Sequence, residues 1–266
     1  VSLEKGYVSA KAEKMMTRTS LRTMVYGENL KNQKCLYIDC CPKLSRVFSS
    51  SHLLQKLEIL HVKFYENLET LFKDDVEEQK LPNLRTLHLW ELPALKCIGC
   101  IVPSLQLLDV GECPMLRHVL TSGLVPEKLE VLKVKNCHAL DKILEGVASD
   151  YNKLPQLGEV HLQGLPKLTS IGIEAPLLRS LEVRDCSLLI HVISSTHKPE
   201  NLEVLKVRFC DNLETLFAGT SEDCGLPSLD TVQLWGLPKL VSIGTTLPPL
   251  RKSIIRDCPK LTIPMS

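Results

Sequence analysis

Residues 129–140 read LEVLKVKNCHAL, and residues 202–213 read LEVLKVRFCDNL, nearly the same phrase further along the chain. In the first copy Leu132 and Val134 alternate with Lys133 and Lys135; in the second Leu205 and Val207 alternate with Lys206 and Arg208. Apolar and polar residues in strict alternation predict a short strand with one covered and one open face. Cys137 and Cys210 stand at the ninth position, where the chain is expected to turn inward beneath the strand and where a small side chain fits.

Working outward, the rest of the chain aligns to the same template, L-x-x-L-x-[VLI]-x-x-[CL]-x-x-L. Ten copies begin at Gln33, Leu57, Leu84, Leu105, Leu129, Leu157, Leu178, Leu202, Leu229 and Leu250. The steps between them recur in threes. The longest open at Leu57, Leu129 and Leu202, and the shortest at Leu84, Leu157 and Leu229, so short repeats are nested in a longer unit that restarts at Leu105, Leu178 and Leu250. Leu at the first, fourth and sixth positions with Cys at the ninth, at a period of about 20–29 residues, is the leucine-rich repeat pattern. The expected fold is an α/β-type solenoid. It is a horseshoe with one parallel β-sheet on its concave face and an irregular convex side of loops or short helices. No repeat can cover its own Leu residues, so stability must come from neighbours stacked on either side. The repeats are expected to fill residues 31–266. Residues 1–30 fit poorly, although Leu21, Met24 and Tyr26 echo the frame; they are expected to form a cap or a degraded repeat.

Six of the eleven cysteines (Cys41, Cys113, Cys137, Cys186, Cys210 and Cys258) occupy the ninth position and read as core residues, not as disulfide partners. Tyr65 replaces Cys in the second repeat. Leu92, Leu165 and Leu237 replace it in the shortest repeats, each followed by a Pro that redirects the chain without needing a donor. Cys97-x-x-Cys100 has zinc-ligand spacing, but a structural zinc takes four ligands and no second pair stands nearby, so no metal is expected. His61 and His88, at the same outward position of adjacent strands, read as solvated ladder histidines.

The totals agree with a repetitive aliphatic core: 44% of the residues are apolar but only 5% aromatic. A formal charge of +1 gives no global attraction to nucleic acid or to an anionic membrane. No run of about 18 uncharged apolar residues suggests a membrane span. The N-terminus, Val1-Ser2-Leu3-Glu4-Lys5, lacks an initiator Met and an apolar leader, so the chain reads as soluble and as a piece of something longer. No Ser-His-Asp, Cys-His or paired-carboxylate constellation stands apart from the repeat grid, and no GxxxxGK[ST] phosphate loop occurs. Neither catalysis nor a cofactor is expected.

Cys followed by Pro-x-Leu, as in CPKL at 41–44, CPML at 113–116 and CPKL at 258–261, resembles the C-terminal leucine-rich region of plant intracellular nucleotide-binding immune receptors of the coiled-coil class. The extracellular plant phrase NxLxGxIP is absent, and the CxxITD of F-box substrate receptors is replaced by CHALDKI and CDNLETL. The resemblance implies a cytoplasmic, or nucleocytoplasmic, module that binds a pathogen effector or a guarded host protein and restrains an adjoining nucleotide-binding domain. The alternative is an adaptor or ubiquitin-ligase substrate receptor that uses the same face.

Outward side chains are expected in two columns, at the fifth and seventh positions. Seven of these twenty residues are Lys or Arg and three are acidic, so the face is mildly basic, while acidity gathers in KDDVEEQ (73–79) and TSEDC (220–224). Both tryptophans, Trp90 and Trp235, fall in the seventh column. Phe64 and Phe209, at the eighth position of the preceding repeats, are expected to form an aromatic pair with each. Trp, Phe and Arg are residue types suited to interface hot spots. The expected protein-binding residues are Trp90, Trp235, Phe64, Phe209, Lys133, Lys135, Arg184, Lys206 and Arg208.

Overall fold

The computed structural model describes residues 7–8, 30–39, 48, 51–71, 80–121, 126–145, 153–193, 199–218, 226–243 and 247–262. Ten five-residue strands begin at the third position of the ten sequence repeats: β2 (Cys35–Asp39), β3 (Ile59–Lys63), β4 (Thr86–Trp90), β5 (Leu107–Gly111) and β7 (Val131–Lys135) in the first half. The second half supplies β9 (Glu159–Gln163), β10 (Ser180–Arg184), β11 (Val204–Arg208), β12 (Thr231–Trp235) and β13 (Lys252–Arg256). They form one parallel sheet in chain order, paired position for position, as in Leu181 with Leu205 and Glu182 with Lys206. A short strand β1, Tyr7–Val8, precedes them and pairs with Tyr37 and Ile38. Residues 7–8 therefore pair beside β2, and the frame anticipated at Leu21, Met24 and Tyr26 lies outside the described residues.

The burial of β3, β4, β7, β10 and β11 alternates half-buried and buried, with the fourth and sixth positions inside. Leu60, Leu87, Leu108 and Leu132 form one fully buried row. Leu57, Leu84, Leu105 and Leu129 form another, and the ninth residues Tyr65, Leu92, Cys113 and Cys137 close the layer beneath. At β13 the inner positions are left open, Ser253 exposed and Ile255 half-buried, because among the described residues no strand follows to cover them.

Tight turns recur before and after the strands, and five described turns of each kind are built from a Pro-x-Leu phrase. Before the strand, Leu84 N–H donates to Leu81 O, and the same bond recurs at Leu105, Leu157, Leu178 and Leu229. After it, Leu95 N–H donates to Leu92 O, repeated at Leu116, Leu168, Leu240 and Leu261. In all ten turns Pro is the second residue, where its fixed φ suits the bend.

Between strand and second turn, the eighth residue adopts a left-handed conformation in all nine repeats where it is described. Phe64, Glu91, Glu112, Asn136, Asp185, Phe209 and Asp257 have φ of 52–59°, and Gly164 and Gly236 have 64°. Its N–H still joins the ladder, as from Phe209 N to Trp235 O at 2.9 Å, so the strand ends in a hydrogen-bonded corner. The corner carries the ninth residue inward. There the thiols of Cys113, Cys137, Cys186, Cys210 and Cys258 donate to the carbonyl two residues back, at 3.2–3.4 Å. This is why a small weak donor suits the position. Cys41 lies outside the described residues.

The opposite side carries two-residue strands β6 (Leu120–Thr121) and β8 (Leu144–Glu145), a 3-10 helix at Ser51–Leu54 and isolated parallel bridges such as Lys80 with Ile101. It matches the expected irregular convex side.

Candidate protein-binding face

The open face of the sheet presents three columns, not two. The fifth and seventh positions point outward as the alternation predicts, and the third does too: Ile59, Leu107, Val131 and Val204 are half-buried there. Period two makes the third position equivalent to the fifth, so this signal was present in the sequence.

In the fifth column, side chains on the first strands engage one another. The Tyr37 and His61 rings lie 4.5 Å apart, His61 and His88 lie 4.1 Å apart, and His88 Nδ1 is 3.3 Å from Asp109 Oδ2. Burial, with His88 and Lys63 adding positive charge nearby, pulls the His61 imidazole down to about 4. Burial alone would raise the Asp109 carboxyl, but the hydrogen bond and charge of His88, with Lys135 and Lys133, hold it below its ordinary value. Further along, Glu182 lies 3.6 Å from His161 and 3.5 Å from Lys206.

The seventh column holds both tryptophans, in different settings. Trp90 is half-buried and lies across Gly111 of β5: a Cβ built on that glycine would run into the indole ring. Lys135 Nζ stands 5.8 Å from the Trp90 ring centroid. Trp235 keeps 38% of its surface exposed and meets Phe209 at 5.4 Å with the rings tilted by 48°. Its Nε1 donates to Asp257 Oδ2 at 2.7 Å. Arg184 lies 5.5 Å from the Phe209 ring, and Arg256 lies 5.8 Å from the Trp235 ring.

One of the two expected aromatic pairs is therefore formed and the other is not. Between Phe64 and Trp90 only a backbone bond connects the residues, Phe64 N to Trp90 O at 3.2 Å, and the Phe64 side chain stands 42% exposed. The cause is local. Gly111 opens a slot on the far side of Trp90, whereas Trp235 faces Arg256 there; and Phe209 lies over Gly236, whose counterpart beside Phe64 is Glu91.

Lys133, Lys135, Arg184, Lys206 and Arg208 all stand on this face, but they are not equally available. Arg184 pairs with Asp185 at 3.0 Å and Lys206 with Glu182, while Arg208 donates only to the neutral Gln233 Oε1 at 2.6 Å. Among the described residues, Lys133, Lys135, Arg208 and Arg256 have no ion pair. The acidic segments 73–79 and 220–224 lie outside the described residues, as do Cys40 and Cys224.

All eight described cysteines are free thiols. Cys100 is buried, and burial with Cys97 alongside pushes its thiol up to about 12. Among the described residues no three His, Cys, Asp or Glu side chains gather as a metal-binding group, and no helix is long and apolar enough to cross a membrane.

Residues 4–125 match the family model described as plant disease resistance protein RPS2-like, leucine-rich repeats. Over those residues the chain is similar to leucine-rich repeats of the plant disease resistance type. Over 99 residues, 37% of the chain, these repeats are 40% identical to a putative disease resistance protein of Arabidopsis thaliana, of which they span 8%. Over 102 residues, 34% of the chain, they are 32% identical to a probable disease resistance protein of the same plant, spanning 11% of it. The chain thus corresponds to a small part of much longer relatives. Among solved structures, a leucine-rich repeat protein from Bacteroides ovatus aligns over 85% of this chain and 75% of its own at 14% identity, with a TM-score of 0.19.

Proposed function

We propose that these repeats are a ligand-recognition and regulatory module of a plant immune receptor. The open face of the sheet binds a pathogen effector or a guarded host protein, and the array restrains a nucleotide-binding domain in the parent chain. The match to disease resistance repeats supports the receptor class. What carries the binding role is the face itself: exposed Trp235 and unpaired Lys133, Lys135, Arg208 and Arg256 stand on a rigid sheet that asks for neither aromatics nor cations there. The module acts without chemistry of its own. Free thiols throughout the described core support a reducing, cytoplasmic setting.

The test uses the full-length parent receptor expressed in leaf cells. Lys133→Glu with Arg208→Glu reverses charge on the open face, while Lys56→Glu alters an exposed lysine on the loop before β3, off the open face. The open-face variant should lose partner-dependent cell death at unchanged protein level, and the control should retain it. Equal behaviour of the two variants would remove the open face from recognition.

A further inference from the structure

The open face divides into two halves that differ in what their side chains already touch. On β2 to β7 most rings engage their neighbours: Tyr37, His61 and His88 stack, His88 meets Asp109, and Trp90 covers Gly111 beneath Lys135. On β10 to β13 a line runs across four successive strands, Arg184 to Phe209 to Trp235 to Arg256, with separations of 5.5, 5.4 and 5.8 Å. Its rings are in contact, yet Trp235 stays open to solvent.

Phe209 holds its place in this line against a local preference. With φ at 53° it occupies the left-handed region, which bulky side chains avoid, whereas most other corners use Gly, Asn, Asp or Glu. Strain of this kind persists where the surrounding structure overrides it, and it gathers at binding sites. The indole N–H bond to Asp257 fixes the second ring, so the aromatic surface is ordered before any partner arrives. A guanidinium stacked on a ring keeps its N–H edge free for a carboxylate. Arg256 is so placed, and Arg208, on the opposite side of Trp235, has no carboxylate among the described residues.

We propose that this cluster docks an acidic segment of a protein partner carrying one large apolar side chain, which seats against Trp235 and Phe209 while neighbouring carboxylates pair with Arg208 and Arg256. The proposal rests on the open face being the binding surface, as argued above, and narrows it to one end and one chemistry. A single-stranded nucleic acid could also stack on the rings. Its backbone, though, needs a continuous basic track, and here Arg184 and Lys206 are neutralised by Asp185 and Glu182 and the Asp257 carboxylate adjoins Trp235.

Four probes test it by calorimetric titration of the repeat protein: a ten-residue peptide of Glu and Asp around a central Phe, the same peptide with Ser for Phe, the same with Lys for every acid, and a ten-nucleotide oligothymidine. The acidic Phe peptide should bind at low salt. The Ser form should bind at least tenfold more weakly, and the Lys form and the oligothymidine more weakly still. Trp235→Ala and Arg256→Gln should each cost tenfold or more, and Trp90→Ala less than twofold. Phe209→Asn keeps a residue tolerant of the left-handed corner and should weaken binding with the fold intact by circular dichroism. Equal binding of the Lys peptide, tighter binding of oligothymidine, equal loss in Trp90→Ala, or no peptide binding would each overturn the proposal. If no peptide binds while Lys133→Glu with Arg208→Glu still abolishes receptor output, the proposal fails and the broader recognition role stands.

Discussion

Gly111→Ala tests the packing on which the two tryptophans are distinguished. Gly111 does not sit in the left-handed region, so alanine costs its backbone nothing; the added methyl instead collides with the Trp90 ring. A Trp side chain buries about 150–250 Å² when covered. Uncovering half of that at about 25 cal/mol per Å² comes to about 2–3 kcal/mol. The lost Lys135 contact adds about 0.5–1 kcal/mol, and partial relaxation subtracts from both. Gly111→Ala should therefore destabilise by about 1.5–3 kcal/mol in urea unfolding, with a red-shifted and more quenchable tryptophan emission. In a Trp90→Ala background the collision is gone, and the same change should be neutral or stabilising by about 0.4–1 kcal/mol through lower unfolded-state entropy. The cycle should thus return a coupling of about 2 kcal/mol or more, above the few tenths expected of independent sites. If Gly111→Ala costs the same with and without Trp90, the ring does not lie where the structure puts it, and the contrast with Trp235 collapses.

The scaffold predicts that Leu132→Ala or Leu205→Ala, both essentially fully buried, will cost about 2–5 kcal/mol in denaturant unfolding, while Lys206→Ala stays within about 0.5 kcal/mol. Against a thiol reagent under native conditions, Cys113, Cys137, Cys186, Cys210 and Cys100 should react slowly and Cys35 and Cys97 faster, as followed by mass spectrometry of labelled peptides. His61 adds a pH dependence: the unfolded imidazole takes up its proton near the ordinary 6.5, the folded one only near 4. Between those values the unfolded chain holds more protons, so stability should fall as pH drops from about 6.5 towards 4, and His61→Gln should flatten that slope in thermal melts.

The ten repeat strands were legible because each depends on one local rule, an apolar residue every second position, repeated often enough to fix the register. The corners were less legible. A left-handed eighth residue announces itself when it is Gly164 or Asn136, but Phe64 and Phe209 carry no such mark, and their conformation is imposed by the repeats on either side. The aromatic pairs failed as a single prediction for a related reason. Residues 57–99 and 202–244 share this Phe and Trp, but whether a ring meets its neighbour depends on residues outside the shared set, Gly111 against Arg256 and Glu91 against Gly236. Strand β1 escaped notice because Tyr7 and Val8 precede their partners Tyr37 and Ile38 by a longer step than any in the repeat grid.

Neighbouring strands pair position for position although the arc of chain between them varies in length, from short ones such as Val160 to Leu181 to the long one from Tyr7 to Tyr37. A side chain's address on the open face is therefore its strand and its place within that strand, not its distance along the chain. An insertion in an outer arc renumbers everything downstream without moving any of it across the sheet. Loops and binding columns can consequently vary as two unlinked alphabets, one written in length and the other in residue type.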